Sequence, residues 1–212
     1  MIIKGADFSA GGNEVYLYDE SGSKYALSVS DAKKTGTYKY AEDNSLLPAE
    51  EDDEMIVFLS RKLSCIRYAS YILEFSDKSR KTLITKLRQK GYEKDVCDAA
   101  VATLEKNGII DDDNLCRRKL EAMAREKYYG PYRLKGELMK KGFSSDVIEN
   151  ALEDADIDFD ELLEKLVQKL TRRANITDIK ELNLLKNKLV RYGYGYESVK
   201  EAVEPYKDFD EE

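Results

Sequence analysis

The chain has 212 residues, of which 42% are hydrophobic and 36% charged, with a formal net charge of −7 and no histidine. Lacking histidine, it has neither the commonest general base nor the commonest zinc ligand, which excludes serine or cysteine nucleophiles activated by an imidazole. No apolar run approaches the ~20 residues that span a bilayer, and Met1-Ile2-Ile3-Lys4 runs into Gly5 and Asp7 without a signal-peptide core, so a cytoplasmic protein without a membrane partner is expected.

Residues 1–50 form a first, β-rich segment. Glu14–Tyr18 and Lys24–Val29 are rich in β-formers, and Asp19-Glu20-Ser21-Gly22-Ser23 between them carries turn chemistry, which predicts a hairpin. A third strand near Ile2-Ile3 or over Thr37–Tyr40 is expected to support it, since a lone ribbon is barely stable. Pro48 and the acidic run Glu50–Glu54 then lead into a long helix, where negative charge suits the N-terminus.

From there the chain repeats itself. Leu83, Leu87, Lys90-Gly91-Tyr92, Val96 and Ala100 are answered by Leu134, Leu138, Lys141-Gly142-Phe143, Val147 and Ala151. A third copy reads Leu185, Leu189, Tyr192-Gly193-Tyr194, Val199 and Ala202. Gly91, Gly142 and Gly193 are spaced by 51 residues, a period that indicates a stacked array. Two leucines four apart share a helix face, a glycine just beyond them suits the left-handed helix stop, and the following aromatic anchors the turn. A leading helix precedes each pair, because Cys65 and Cys116, Ala69 and Leu120, and Ile72 and Met123 are also 51 apart. The expected fold is therefore mainly α: three tandem three-helix repeats (51–108, 109–155, 156–212) in an elongated curved array, behind a small β-hairpin or three-stranded segment. The cysteines have no Cys-x-x-Cys spacing and read as small core residues.

The net charge conceals a partition. Residues 1–55 carry 5 basic and 12 acidic side chains, residues 56–155 carry 20 and 16, and residues 156–212 carry 10 and 14. With the leucines inward, Arg133, Lys135, Lys140 and Lys141 face solvent, as do Lys81, Lys86, Arg88 and Lys90, and Arg117, Arg118, Arg125 and Lys127 join them from a leading helix. These residues are a solvated basic face or a surface for phosphate or an acidic partner, with nearby tyrosines available to stack on bases. Asp111-Asp112-Asp113 and Asp156, Asp158 and Asp160 read as helix caps and first-turn charges. No phosphate loop, dinucleotide fingerprint, calcium loop, catalytic residue, metal ligand or cofactor site is expected.

Tyr68-Ala69-Ser70-Tyr71-Ile72-Leu73, Ser79–Leu83, Lys90-Gly91-Tyr92, Gly108-Ile109-Ile110-Asp111-Asp112 and Tyr129-Gly130-Pro131 through Lys140-Lys141-Gly142-Phe143 together resemble the RecX family of recombination regulators, over roughly Met55 to Val203. The resemblance implies a non-enzymatic modulator of the RecA recombinase. Such a protein binds RecA or its filament on single-stranded DNA and restrains filament growth, ATP hydrolysis and strand exchange by occupying the filament groove or end. Two positions depart from the family pattern. Ser79-Arg80-Lys81-Thr82 replaces the usual arginine-serine-glutamate opening, and Tyr192 replaces lysine before Gly193, which implies less charge from the last unit. A monomer with weak direct contact to DNA is expected. The alternative is a stand-alone nucleic-acid-binding protein of tandem helix-turn-helix-like units.

Overall fold

A computed structural model describes residues 2–43, 53–172, 176 and 178–206. It divides into two compact units, Met1–Lys78 with Thr82–Ile110, and Ser79–Lys81 with Asp111–Glu212.

The first unit opens with an antiparallel sheet of order β1 (Ile3–Phe8), β2 (Glu14–Asp19) and β3 (Lys24–Ser28), so the third strand is the one near Ile2-Ile3. The β2–β3 turn is closed by Asp19 Oδ1, which accepts from the N–H groups of Ser21 (2.9 Å) and Ser23 (2.8 Å) and from the Ser21 hydroxyl. Those hydrogen bonds, the Ser21 hydroxyl's first, hold the Asp19 carboxyl below the ordinary carboxylate range. Val29 begins helix α1 (Val29–Lys34) and does not end the strand. Thr37–Tyr40, the other candidate strand, lies in helix α2 (Thr37–Asp43). A helix there lets the buried Thr37 hydroxyl donate to Ala32 O at 3.3 Å and sets Tyr38 edge-on to Phe8.

Helix α3 (Asp53–Phe75) serves two cores. Ile56 and Leu59 complete the core of the sheet with Val15, Leu17, Leu27 and Ala32, and Ser60 Oγ accepts from Ala26 N at 3.1 Å. Its second half supplies Cys65 and Ala69 to the core of the first repeat, with Leu83 and Leu87 from α4 (Arg80–Gln89) and Cys97, Ala100, Val101 and Leu104 from α5 (Lys94–Lys106). The second unit repeats the plan twice, as α6 (Asp112–Lys127), α7 (Pro131–Lys140) and α8 (Ser145–Glu153), then α9 (Phe159–Thr171), α10 (Ile179–Arg191) and α11 (Tyr196–Ala202).

The 51-residue period holds at side-chain level. Leu83, Leu134 and Leu185 are buried, as are Leu87, Leu138 and Leu189. Past the glycine, Val96 and Cys97 are both buried in the first repeat and Val199 is buried in the third, while in the second the buried residue is Ile148, one beyond the expected Val147. The three glycines are left-handed, with φ of 103°, 90° and 95° at Gly91, Gly142 and Gly193. Asp111 caps α6 by accepting from Asn114 N at 2.9 Å, and Asp158 caps α9 by accepting from Asp160 N and Glu161 N, which is the role expected of these carboxylates. Cys65, Cys97 and Cys116 are buried free thiols, and burial pushes Cys65 up to about 12 and Cys116 up to about 11.

Inside the second unit, the second and third repeats meet backbone to backbone. The N–H of Gly130 donates to Tyr192 O at 2.8 Å and that of Tyr132 to Gly193 O at 3.1 Å, while Arg133 Nη1 donates to Arg191 O at 3.0 Å. The amides at the start of α7 thus meet the carbonyls at the end of α10, groups that have no partner within their own helices. Neither glycine has room for a side chain. A Cβ on Gly130 would lie 2.5 Å from Gly193 O, and one on Gly193 would lie 2.4 Å from Arg133 N and Cβ.

Gly91→Ala and Gly193→Ala therefore have different expected costs. Both strain a left-handed backbone, by about 1–2 kcal/mol, but open space surrounds Gly91. Gly193→Ala also forces the joint apart, an overpacking worth a further ~1–3 kcal/mol. Chemical denaturation should show the larger loss for Gly193→Ala, and equal losses would contradict the joint.

The Tyr194 hydroxyl is buried with no hydrogen-bond partner among the described residues, and burial raises it from 10.0 to about 12. A pKa higher in the folded chain than in the unfolded one favours folding at pH below the unfolded value, and that contribution disappears as pH climbs to the folded value. Cys65 and Cys116 act with the same sign from 9.0 upward. Stability should accordingly decline between pH 9 and about 12. Tyr194→Phe should stabilise by about 1 kcal/mol near neutrality, because it removes an unsatisfied hydroxyl, and should make the alkaline decline shallower. A destabilised Tyr194→Phe variant would show that the hydroxyl has a partner.

Candidate partner-binding surface

All twelve basic candidates are at least partly exposed. On α4 and just beyond it, Lys81, Lys86, Arg88 and Lys90 are exposed, and Lys90 Nζ sits 5.3 Å from the Tyr68 ring centroid. Arg117, Arg118, Arg125 and Lys127 are exposed on α6. Arg118 and Arg125, seven residues apart, fall on one helix face. On α7, Lys135 pairs with Glu149 and Lys140 with Glu137, and Lys141 is exposed at the C-cap. The Lys140 ammonium, by donating to Glu137, holds that carboxyl below its usual range. Exposed pairs of this kind contribute little to stability, but they cancel charge locally.

Arg133 departs from the expectation of a solvent-facing residue. It is half-buried, its guanidinium carbon lies 4.0 Å from the Tyr129 ring centroid, and Tyr192 stands at 5.9 Å. A guanidinium stacked on a ring and bonded to a carbonyl is held in place. Arg133 is therefore a clamp of the joint, where sequence spacing presented it as a free cation.

Beside the clamp lies a cavity of about 490 Å³ with Lys127, Arg133, Lys169 and Lys188 on its walls and, among the described residues, Glu126 as its one carboxylate. Tyr128, Tyr129 and Tyr192 form its aromatic surface. Tyr128 is the only non-glycine residue with positive φ among the described residues, at 55°. It ends α6 in the left-handed region and brings its ring beneath Lys169 Nζ, 4.5 Å from the centroid. A second cavity of about 370 Å³ shares Tyr128 and Lys169 and adds Lys165 and Arg172. Lys165 donates to Glu161 at 2.6 Å, which raises its pKa.

Only Lys127 and Arg133 of the candidates enter this cavity. The other cations come from the third repeat, which the Tyr192 substitution had marked as the less charged one. A signal existed: Lys165, Lys169 and Arg172, spaced by four and three, make a basic stripe on α9, but the net negative charge of 156–212 hides it. Among the described residues no helix is long and apolar enough to cross a membrane.

Comparison with known proteins matches residues 65–104 to the first three-helix domain of RecX and residues 111–152 to the second. A regulatory protein RecX from Pseudomonas savastanoi is 32% identical over 127 residues, covering 60% of this chain and 81% of the relative. One from Clostridium botulinum is 28% identical over 167 residues, covering 75% and 77%. A crystal structure of a regulatory protein RecX superposes with a TM-score of 0.71 over 94% of this chain and 98% of its own, at 16% identity, which establishes the shared fold. With two family domains matched in order and a relative a third identical over most of its length, the chain belongs to the RecX family of regulatory proteins.

Proposed function

We propose that this chain binds the RecA recombinase, or its filament on single-stranded DNA, and restrains filament extension, ATP hydrolysis and strand exchange by occupying the filament groove or end. Family membership carries this reading, since the relatives are named as regulatory proteins. The chain acts in the cytoplasm as a monomer, and it needs no chemistry of its own. A bound protein that covers the surface where the next subunit would join stops growth by exclusion, and several weak contacts from similar repeats add up to useful affinity.

Arg117, Arg118, Arg125, Lys127 and Lys141 form the centre of the partner surface on the second unit, and Lys86, Arg88 and Lys90 are the candidate contacts of the first unit, with Lys81 grouped with the second. Arg133 serves that surface from behind, through the joint. Lys135 and Lys140 contribute less, because Glu149 and Glu137 already neutralise them.

ATP hydrolysis by RecA on single-stranded DNA should fall as the protein is added. Arg117→Glu, Arg125→Glu and Lys127→Glu combined should raise the half-inhibitory concentration at least about tenfold, as expected when cations facing a partner are reversed, with helical content unchanged by circular dichroism. An unaltered hydrolysis rate with the native protein would refute the reading. Full potency in the variant would move the surface elsewhere.

A further inference from the structure

We infer that the cavity between the second and third repeats is a binding site for nucleotide phosphate, presented by single-stranded nucleic acid or by a free nucleoside triphosphate. Among the described residues, Lys127, Arg133, Lys169 and Lys188 converge on about 490 Å³ against the single carboxylate of Glu126. Among the described residues no ion pair involves Lys127, Lys169 or Lys188. Like charges gathered in a concavity repel one another and focus a positive potential, which a compact multivalent anion relieves. The volume lies within the range of small-ligand sites.

The walls argue for a nucleotide over an acidic peptide. Tyr129 and Tyr192 meet edge to face with centroids 6.2 Å apart, and Tyr128 lies beneath Lys169. Cations interleaved with aromatic rings recognise a phosphate and an unpaired base together, whereas a carboxylate side chain has no ring face to stack. Arg133 is already fixed by Tyr129 and Arg191 O, so little ordering accompanies binding.

Lys169 and Lys188 are exposed and belong to no core, so replacing them leaves the fold intact. Fluorescence anisotropy of a labelled oligothymidylate, with RecA absent, would compare the native chain with Lys169→Ala/Lys188→Ala. A control, Lys39→Ala/Lys94→Ala, loses the same charge from exposed positions elsewhere. The site variant should bind about tenfold more weakly, with a salt slope shallower by about 1.4, as expected for two lost phosphate contacts on a single strand. The control should match the native chain. Competition by a nucleoside triphosphate that the site variant resists would identify the free nucleotide as the source and support the same chemistry. Absence of binding, equal weakening in both variants, or displacement by polyglutamate as effective as by triphosphate would overturn the assignment. Because RecA is absent, that failure leaves the regulatory reading standing, and intact binding here would not rescue a failed RecA assay.

Discussion

Two glycine backbones pressed together hold the second and third repeats in a fixed relation, and the chemistry beside them depends on that contact. The amides of Gly130 and Tyr132 at the start of α7 need partners, and they find them in the carbonyls of Tyr192 and Gly193 just past the end of α10. The alignment also brings the positive end of one helix dipole against the negative end of another. Pro131, which has no N–H, stands between the two donating amides, so the joint leaves no donor idle there. Backbone contact at this distance requires glycine on both sides. Arg133 then seals the edge by stacking on Tyr129 and capping Arg191 O, which converts a mobile cation into part of the wall.

A consequence is that charge on this protein has to be read by place. The chain is acidic in sum, yet the cavity by the joint is strongly basic, because helices from two repeats each turn their cations toward it. On the open face of α7 the opposite occurs, with Lys135 and Lys140 matched by nearby glutamates. Screening weakens exposed charges beyond about 8–10 Å at physiological salt, so local geometry decides what a partner meets. An acidic total lowers the attraction of a protein for polyanions at large, while cations gathered in a recess raise the potential locally.

Much of the fold was legible in the sequence because each repeat obeys a local rule. A leucine pair sets the buried face, a left-handed glycine ends the helix, and an aromatic closes the turn; Leu134, Leu138, Gly142 and Phe143 occupy those positions as the pattern required. Caps such as Asp111 and Asp158 were legible for the same reason. The helix over Thr37–Asp43 was not, since its threonine and tyrosines favour strands, and tertiary packing on Phe8 and Ala32 decided otherwise. Nor was the joint, because contact between two glycines leaves no side-chain signature. The cavity inherits that opacity: Lys127, Arg133, Lys169 and Lys188 lie on four helices, and only the joint brings them together.

The separation of cores from joint has its own logic. Each repeat buries its own cluster, Leu83 and Leu87 in the first, Leu134 and Leu138 in the second, Leu185 and Leu189 in the third. Stability in such a chain is nearly a sum of unit terms and neighbour terms. Substitution within a cluster chiefly lowers the first term, and substitution at Gly130, Gly193 or Arg133 chiefly lowers the second. The spacing between side chains carried by the second and third repeats is therefore set by the neighbour term at their joint.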